Sequence, residues 1–131
     1  MKNSLKRTLW LRRAAPILKK IIKEHATFNC PVYVQCETMS LPLAGMCLHY
    51  PGYKIATVAN NRQSGIKALD CLLHELVHAS VGNKQPHHGP KFQKLARKVG
   101  LVPPWARSTL GTKMRNRLLQ VSRNLGRYPG T

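Results

Sequence analysis

Acidic residues are scarce in this chain, and their scarcity bounds what the protein can bind. Only 4 of the 131 residues are Asp or Glu, against 22 Lys and Arg, so the formal net charge is +18. The last acidic residue is Glu75, which leaves residues 76–131 without a side-chain carboxylate. Such an excess favours a polyanionic partner, because each phosphate that a cation neutralises releases counterions. We expect nucleic acid, or a protein found on nucleic acid, and the alternatives are a merely soluble basic surface or binding to an acidic protein.

Long apolar runs and closely paired cysteines are also missing. No apolar run approaches the length of a membrane span, and charged residues interrupt the apolar N-terminal residues before a signal-peptide core can form. We therefore expect a cytoplasmic protein without a membrane partner. The four cysteines, at positions 30, 36, 47 and 71, include no C-x2-C pair. That absence argues against a zinc knuckle or a redox motif and predicts reduced thiols.

The cations are concentrated in two predicted helices, one near each end of the chain. An apolar stripe between lysines and arginines predicts the first helix over residues 4–25, and Pro16 predicts either a kink or two shorter helices. The second helix is predicted over residues 113–124 and leads to a frayed tail. Each helix can present a cationic face to phosphates without reading bases. The candidate contacts are Lys19, Lys20, Lys23, Lys113, Arg115, Arg117 and Arg123.

Three short segments between these helices predict a small, mostly antiparallel sheet. Residues 31–35 alternate between polar and apolar, residues 46–50 and 53–59 are largely apolar, and glycine and proline separate the segments. We interpret residues 1–131 as a single α+β domain whose core covers about residues 27–101. Residues 101–111, which contain two adjacent prolines, are predicted to be extended.

His74-Glu75-Leu76-Val77-His78 is the most specific pattern in the sequence. Apolar residues around it predict a helix over residues 66–80, on which histidines four positions apart share one face and can bind one cation. A glutamate beside the first histidine can take a proton from a water molecule at the metal. The pattern predicts a zinc site with His74 and His78 as ligands and Glu75 as general base.

The third ligand is expected from a histidine, because no carboxylate follows Glu75. His87 and His88 lie in a predicted loop, just before a helix that begins at Pro90 and ends near Val99. A loop of this length can return an imidazole over the motif helix. Adjacent side chains diverge, so normally only one of the two binds. We prefer His88 and keep His87 as the alternative ligand.

Residues 74–79, followed by His88-Gly89-Pro90-x-Phe92 and residues 95–97, resemble the SprT-like zinc metallopeptidase family, especially its short bacteriophage versions. The similarity covers residues 66–101. It implies a minimal zincin-like domain with an HExxH active-site helix, one Zn²⁺ per chain, a protein or peptide substrate, and the host cytoplasm if the chain is phage-encoded. Larger members act on DNA-bound proteins and carry a C-terminal cysteine zinc ribbon. This chain has no cysteine after Cys71, so any DNA contact must come from the basic helices.

Two other hypotheses remain open. One is a non-enzymatic basic nucleic-acid-binding protein in which the zinc is structural. Structural zinc normally has four protein ligands, so Cys47 or Cys71 would have to complete the site. The other is a hydrolase with the same core that acts on RNA or on a small amide.

Supporting roles are expected from residues of the predicted strands. Tyr50 and Tyr53 are candidates for stabilising the oxyanion of the reaction. Residues 55–59 either form an edge strand that pairs with an extended substrate or are a plain structural strand. His25 and His49 have no motif context, and we assign them no role.

Overall fold

Apolar stripes separated by glycine, proline and polar turns give the chain four helices around three short strands. The computed structural model describes residues 2–40, 43–62 and 64–131. The elements are α1 (Lys2–Lys23), β1 (Val32–Glu37), β2 (Gly45–Tyr50), β3 (Tyr53–Ala59), α2 (Gly65–Val81), α3 (Pro90–Lys98) and α4 (Thr112–Leu125). The fold is therefore α+β, as predicted. Among the described residues, none of the helices combines the length and hydrophobicity needed to cross a bilayer.

The first helix is continuous, so the predicted alternative of two shorter helices is wrong. Pro16 lies inside α1 on its exposed side. Proline in a helix removes one backbone hydrogen bond, and at an exposed position water can satisfy the carbonyl left without a partner. On the opposite side, Leu11, Leu18 and Ile22 are fully buried against the rest of the core. Their burial on both sides of Pro16 holds the two halves in one helix.

The sheet is mixed, and the prediction of a mostly antiparallel sheet is wrong. Its strand order is β1-β3-β2, with β1 parallel to β3 and β2 antiparallel to β3. A tight turn at Pro51 and Gly52 makes β2 and β3 a hairpin, which leaves the other side of β3 for β1. Residues 55–59 thus belong to the central strand, not to an edge strand. Alternation along a strand identifies its two faces but says nothing about its neighbours.

The two edges of the sheet differ in what covers them. On the β1 edge, Lys19 Nζ donates to the Val32 carbonyl at 2.6 Å and Arg12 Nε to the Val34 carbonyl at 3.2 Å. Thr8 Oγ1 accepts from the Cys36 amide at 2.9 Å, so α1 occupies this edge with its own side chains. No comparable hydrogen bonds to the β2 edge occur within the described residues. In the part of the chain that the structure describes, the β2 edge is therefore the one left for an added strand.

The second helix runs through the centre of the protein. Its residues are buried almost continuously from Ala68 to Ala79, and it packs against β2, β3, α1, α3 and α4. Ser64 caps its first turn by accepting from the Lys67 amide, and Gly82, with a φ of 89°, ends it. The buried Lys54 on β3 donates from Nζ to the Ala79 carbonyl at 2.6 Å. A cation at the C-terminal end of a helix stabilises its unpaired carbonyls.

The C-terminal third is more ordered than the sequence predicts. Residues 101–110 fold back on themselves through an antiparallel bridge between Leu101 and Leu110, so the predicted extended segment is wrong. The predicted frayed tail is wrong as well, because Tyr128 is only 2% exposed. Its ring lies 4.9 Å from the Trp10 ring and under the Arg7 guanidinium, and Arg7 Nε donates to the Pro129 carbonyl at 2.7 Å. Burial of one aromatic ring fixes the tail to α1.

Candidate metal centre

The two histidines of the motif face the same cleft from α2. His74 and His78 lie one turn apart, are 7% and 8% exposed, and have ring centroids 4.9 Å apart. Neither projects into solvent, because the helix that carries them is buried along most of its length. Such burial is unusual for an imidazole pair and demands partners for the ring nitrogens.

The third imidazole comes from the loop between α2 and α3. His88 Nε2 lies 3.2 Å from His74 Nε2. A ring nitrogen from each of His74, His78 and His88 lies within 4.8 Å of the other two, close enough to bind one metal ion. His88 has a φ of 54°, a left-handed conformation that costs energy for a non-glycine residue and is typical of functional sites. Gln93 Nε2 supports the loop by donating to the His88 carbonyl at 2.8 Å.

The alternative ligand, His87, is placed differently. Its exposed ring stacks on His78 at a centroid distance of 4.6 Å and an interplanar angle of 7°. Stacking presents the face of a ring to its neighbour, whereas metal binding requires the nitrogen lone pair in the ring plane. Within the described residues, the group that can hold a metal includes His88 and not His87.

Phe92 forms the floor beneath the three imidazoles. It is buried on α3, and its ring lies 4.3 Å from that of His78, 4.8 Å from His88 and 5.0 Å from His74. Pro90 at the first turn of α3 fixes where this helix begins, and so how far Phe92 reaches under the cleft. Phe92 therefore excludes water from the back of the imidazole cluster and holds the rings in place.

The donor set fits a cation that prefers nitrogen ligands. His78 Nε2 is buried and has no hydrogen-bond partner among the described residues, which is the condition expected of a metal ligand. Burial, reinforced by neighbouring imidazoles, lowers the pKa of His74 to about 4 and that of His78 to about 2. Both rings are neutral at physiological pH, so their lone pairs are available for coordination.

Glu75 lies beside the imidazoles but outside the metal-binding group. It is 7% exposed, and burial raises its pKa to about 8. The first residue of β2 approaches it closely, since a Cβ atom on Gly45 would lie 3.1 Å from Glu75 Oε2 and 2.7 Å from the Thr57 carbonyl oxygen. Only glycine leaves this space free. A carboxyl group with an upward-shifted pKa in a cleft is characteristic of an acid–base residue.

The cleft around these residues has a volume of about 570 Å³, which suits a small ligand or a few residues of a peptide. One wall is formed by residues of β2, and another by the segment of residues 106–108. Ser108 fixes that second wall to α2 by donating to the Asp70 carbonyl at 2.8 Å and to the Asp70 carboxylate. The cleft is thus built between the edge of the sheet and a loop anchored on the histidine-bearing helix.

The tyrosines proposed from sequence for oxyanion stabilisation do not line this cleft. Tyr50 and Tyr53 stack on each other at a centroid distance of 5.0 Å and are exposed at the hairpin turn. The structure instead brings His49 to the cleft wall, a residue that sequence analysis left without a role. Alternation along β2 was the available signal, because it places His49 on the same face as Cys47 and Gly45.

The candidate phosphate-binding residues lie at the surface, with one exception. Lys20 and Lys23 on α1 are exposed, and Lys19 is half-buried because its ammonium group binds the Val32 carbonyl. Arg117 on α4 lies 3.9 Å from Glu24, so the two basic helices are neighbours near the end of α1. The other α4 candidates, Lys113, Arg115 and Arg123, are also exposed.

Comparisons of the chain with protein-family models, with curated proteins and with solved structures find no match. What the site can do therefore follows from its own chemistry. Three neutral imidazoles can hold one metal ion, and a buried carboxyl beside them can exchange a proton with a molecule in the cleft.

Proposed function

We propose that the protein is a zinc-dependent metallopeptidase of the HExxH type, with one Zn²⁺ per chain. The observation that carries the proposal is the convergence of three imidazole nitrogens within 4.8 Å of one another, next to the buried Glu75. His74, His78 and His88 would hold the ion, which leaves a fourth position for water, as in catalytic zinc sites. Zinc in such a site supplies a Lewis acid that lowers the pKa of water to near neutrality.

Glu75 is the general base of the proposed reaction. Without a nearby cation, burial raises the pKa of its carboxyl group to about 8. A cation held by the adjacent histidines favours the carboxylate and so brings the pKa down again. Glu75 then accepts a proton from the attacking water and delivers it to the amine that leaves. General acid–base catalysis of this kind typically contributes about 10²–10⁴-fold to the rate.

The open edge of the sheet favours a peptide as the substrate over a small amide or RNA. β2 lies at the edge of the sheet and lines the cleft with Gly45 and Cys47. An extended peptide can add to this edge through main-chain hydrogen bonds. Residues 55–59, expected from sequence to pair with substrate, already pair on both sides, so β2 replaces them in this role.

The positions of the Cys47 and Cys71 thiols argue against the alternative of a structural zinc site. Cys71 Sγ is directed to the Ala44 carbonyl at 2.9 Å, and neither Cys71 nor Cys47 belongs to the metal-binding group among the described residues. Burial raises the pKa of Cys47 to about 12 and that of Cys71 well above its ordinary value. Both thiols are therefore protonated in the metal-free protein, and their position outside the metal-binding group makes them poor candidates for a fourth ligand.

Docking on nucleic acid is the second part of the proposal. Three exposed cations lie where α1 and α4 meet, namely Lys20, Lys23 and Arg117. The guanidinium of Arg117 is 3.9 Å from the Glu24 carboxylate, and this ion pair is on the surface. An exposed ion pair of this kind is worth little, so it leaves the cationic surface available for phosphates. Binding through such residues would be independent of base sequence. It would place the peptidase near proteins that sit on DNA.

Elemental analysis combined with a casein cleavage assay tests the metal and the activity together. The parent protein should contain near-stoichiometric zinc and cleave casein, and removal of zinc by a chelator should abolish cleavage. His88→Ala should lose both zinc and activity, and its matched control, His87→Ala, should retain both. Full zinc occupancy in His74→Ala and in His78→Ala would refute the site. Full zinc occupancy without cleavage in the parent would refute the peptidase while leaving the site.

A further inference from the structure

His49 faces the catalytic cleft from the edge strand. Along β2, Gly45, Cys47 and His49 alternate with Met46, Leu48 and Tyr50, so the two sets lie on opposite faces of the sheet. Gly45 is the residue that approaches the Glu75 carboxylate, which identifies its face as the one turned toward α2. His49 is on that face, opposite Lys54 of β3, and it lines the same cleft as the three-histidine group.

The ring of His49 is held so that one nitrogen is buried and the other is available. Nδ1 is buried and has no hydrogen-bond partner among the described residues. Nε2 is therefore the ring nitrogen that we infer His49 would use toward a molecule in the cleft. Since no acceptor faces Nδ1, the neutral tautomer with the proton on Nε2 avoids a buried N–H group without a partner. Burial, with the nearby Lys54 ammonium, lowers the pKa of His49 and keeps the ring neutral.

His49 is close to the metal-binding group without belonging to it. Burial is the main cause of the lowered pKa of His78, and the neighbouring imidazoles, His49 among them, contribute to it. Among the described residues, the group that can hold one ion contains His74, His78 and His88 but not His49. His49 thus lines the same cleft as the three histidines but stands outside the group of ligand atoms.

Three other polar groups of the cleft are less suited to this position. Ser108, on the wall formed by residues 106–108, already donates its hydroxyl to Asp70. Arg107 is an exposed residue of the same wall and carries a permanent charge that water solvates. Burial raises the pKa of Cys47 to about 12, and a thiol is a weak donor. The imidazole of His49 is the neutral donor on the strand beside which a peptide would lie.

We propose that His49 is a catalytic residue, which donates its Nε2–H group to the carbonyl oxygen of the scissile peptide bond. The inference rests on the proposed peptidase function. As water adds to the carbonyl carbon, the C=O π bond breaks and its electron pair moves to the oxygen. The hydrogen bond from His49 strengthens as that negative charge develops. A donor fixed in advance near the developing charge needs little reorganisation and stabilises the transition state more than the substrate.

Steady-state kinetics on fluorescein-labelled casein test this role, with zinc content measured on each protein. His49→Ala should lower kcat by about 10²–10³-fold, as the loss of one oxyanion donor does, with a much smaller change in KM. His49→Gln keeps an N–H donor on a side chain of similar reach and should recover part of that loss. His25→Ala removes an exposed histidine outside the cleft and should behave as the parent. Zinc content should be the same in all four proteins.

Each other outcome overturns the inference in a recognisable way. An unchanged kcat in His49→Ala, with an active parent, removes the role of His49 and leaves the peptidase intact. Loss of zinc in both His49 variants would make His49 part of the metal site instead. A rise in KM alone would make it a residue that binds substrate without selecting the transition state. A zinc-loaded parent that does not cleave casein overturns the peptidase, and the role of His49 with it.

Discussion

The cleft beside α2 and the surface shared by α1 and α4 differ in how they carry charge: the ionisable groups of the cleft are buried, and the cations of the surface are exposed. In the cleft, burial holds His74 and His78 neutral and raises the pKa of Glu75 to about 8. On the helix surface, Lys20, Lys23 and Arg117 are exposed to water. Acid–base catalysis uses groups whose pKa is shifted by their surroundings. Docking on a polyanion uses exposed charges, and salt screens exposed charges. The two regions should therefore respond to different mutations and different conditions.

The largest expected effect is the loss of a metal ligand. In His78→Ala, zinc affinity should fall by more than the roughly 10–100-fold typical of losing a group that only orients a ligand. Casein cleavage should disappear with the metal. Binding of duplex DNA should not change, because the substitution leaves the exposed lysines and arginines of the basic surface in place. Zinc analysis, cleavage and a DNA titration on the same preparation check the three statements, and parallel losses of zinc and DNA binding would break the comparison.

Neutralising the basic surface should give the reverse pattern. On duplex DNA the log–log dependence of affinity on salt should have a slope of roughly −0.9 for each phosphate contacted. Replacing Lys20, Lys23 and Arg117 together by Gln should weaken binding and make that slope shallower by about 1 per lost contact. Casein cleavage should stay at the parent rate. A DNA titration that is flat between low and physiological salt in the parent would reduce the charge to solubility or to a protein-partner surface.

The cleft should also determine how the metal-free protein depends on pH. The pKa of Glu75 is raised to about 8, so the folded protein binds a proton that the unfolded chain releases. The stabilisation by this proton is complete below the ordinary pKa of a glutamate and is lost as pH rises to 8. Between pH 6.5 and 8 the free energy of unfolding should fall by up to about 2 kcal/mol. Glu75→Gln should remove most of this fall.

Acid should act on the same metal-free protein through the histidines. Because the folded-state pKa values of His74 and His78 are lowered to about 4 and about 2, the unfolded chain binds more protons below pH 6.5. Stability contributed by the two neutral rings is present above pH 6.5 and is lost as pH falls. Urea denaturation of the chelated protein across pH 5–8 measures both limbs. If the free energy of unfolding rose between pH 6.5 and 8, that result would contradict the raised pKa assigned to Glu75.

The smallest expected effect is a difference in stability and DNA binding between substitutions of two adjacent lysines. Lys19 donates to the Val32 carbonyl at the β1 edge, and Lys20 is exposed. Lys19→Met should lower the free energy of unfolding by about 1 kcal/mol, the typical value of one hydrogen bond, with little effect on DNA binding. Lys20→Met should leave stability unchanged and weaken DNA binding. Equal effects of the two variants on the salt slope would show that both lysines contact phosphate.

The helices and the metal-binding group were accessible from the sequence because both depend on local spacing. The predicted motif helix over residues 66–80 is observed as Gly65–Val81, and the predicted helix that begins at Pro90 ends at Lys98. Histidines four positions apart on a helix share a face whatever surrounds it. His88 required more, because its preference over His87 depended on the path of one loop. The structure places His88 with the helical pair and leaves His87 stacked on His78.

The order of the strands and the docking of the tail were not accessible in this way. The central position of β3 arises because β1 pairs with β3 and not with β2, the next strand in the chain, and local alternation does not encode that choice. Tyr128 is followed by proline and glycine, a composition typical of a loose end, yet its burial against Trp10 follows from long-range packing. His49 was missed for a related reason. His49 shares a strand face with Gly45, and α2 packs against that face. The sequence of β2 alone does not show which of its two faces α2 covers.

A comparison of zinc-loaded parent and zinc-loaded Glu75→Gln tests the central claim most directly, that a buried carboxylate beside a three-histidine metal site performs hydrolysis. The two proteins should have equal zinc content and equal secondary structure, because Glu75 lies outside the metal-binding group. We predict that the variant cleaves casein about 10²–10⁴-fold more slowly than the parent. A variant that retains zinc and cleaves at the parent rate would contradict the claim, because the carboxylate would then have no part in the reaction.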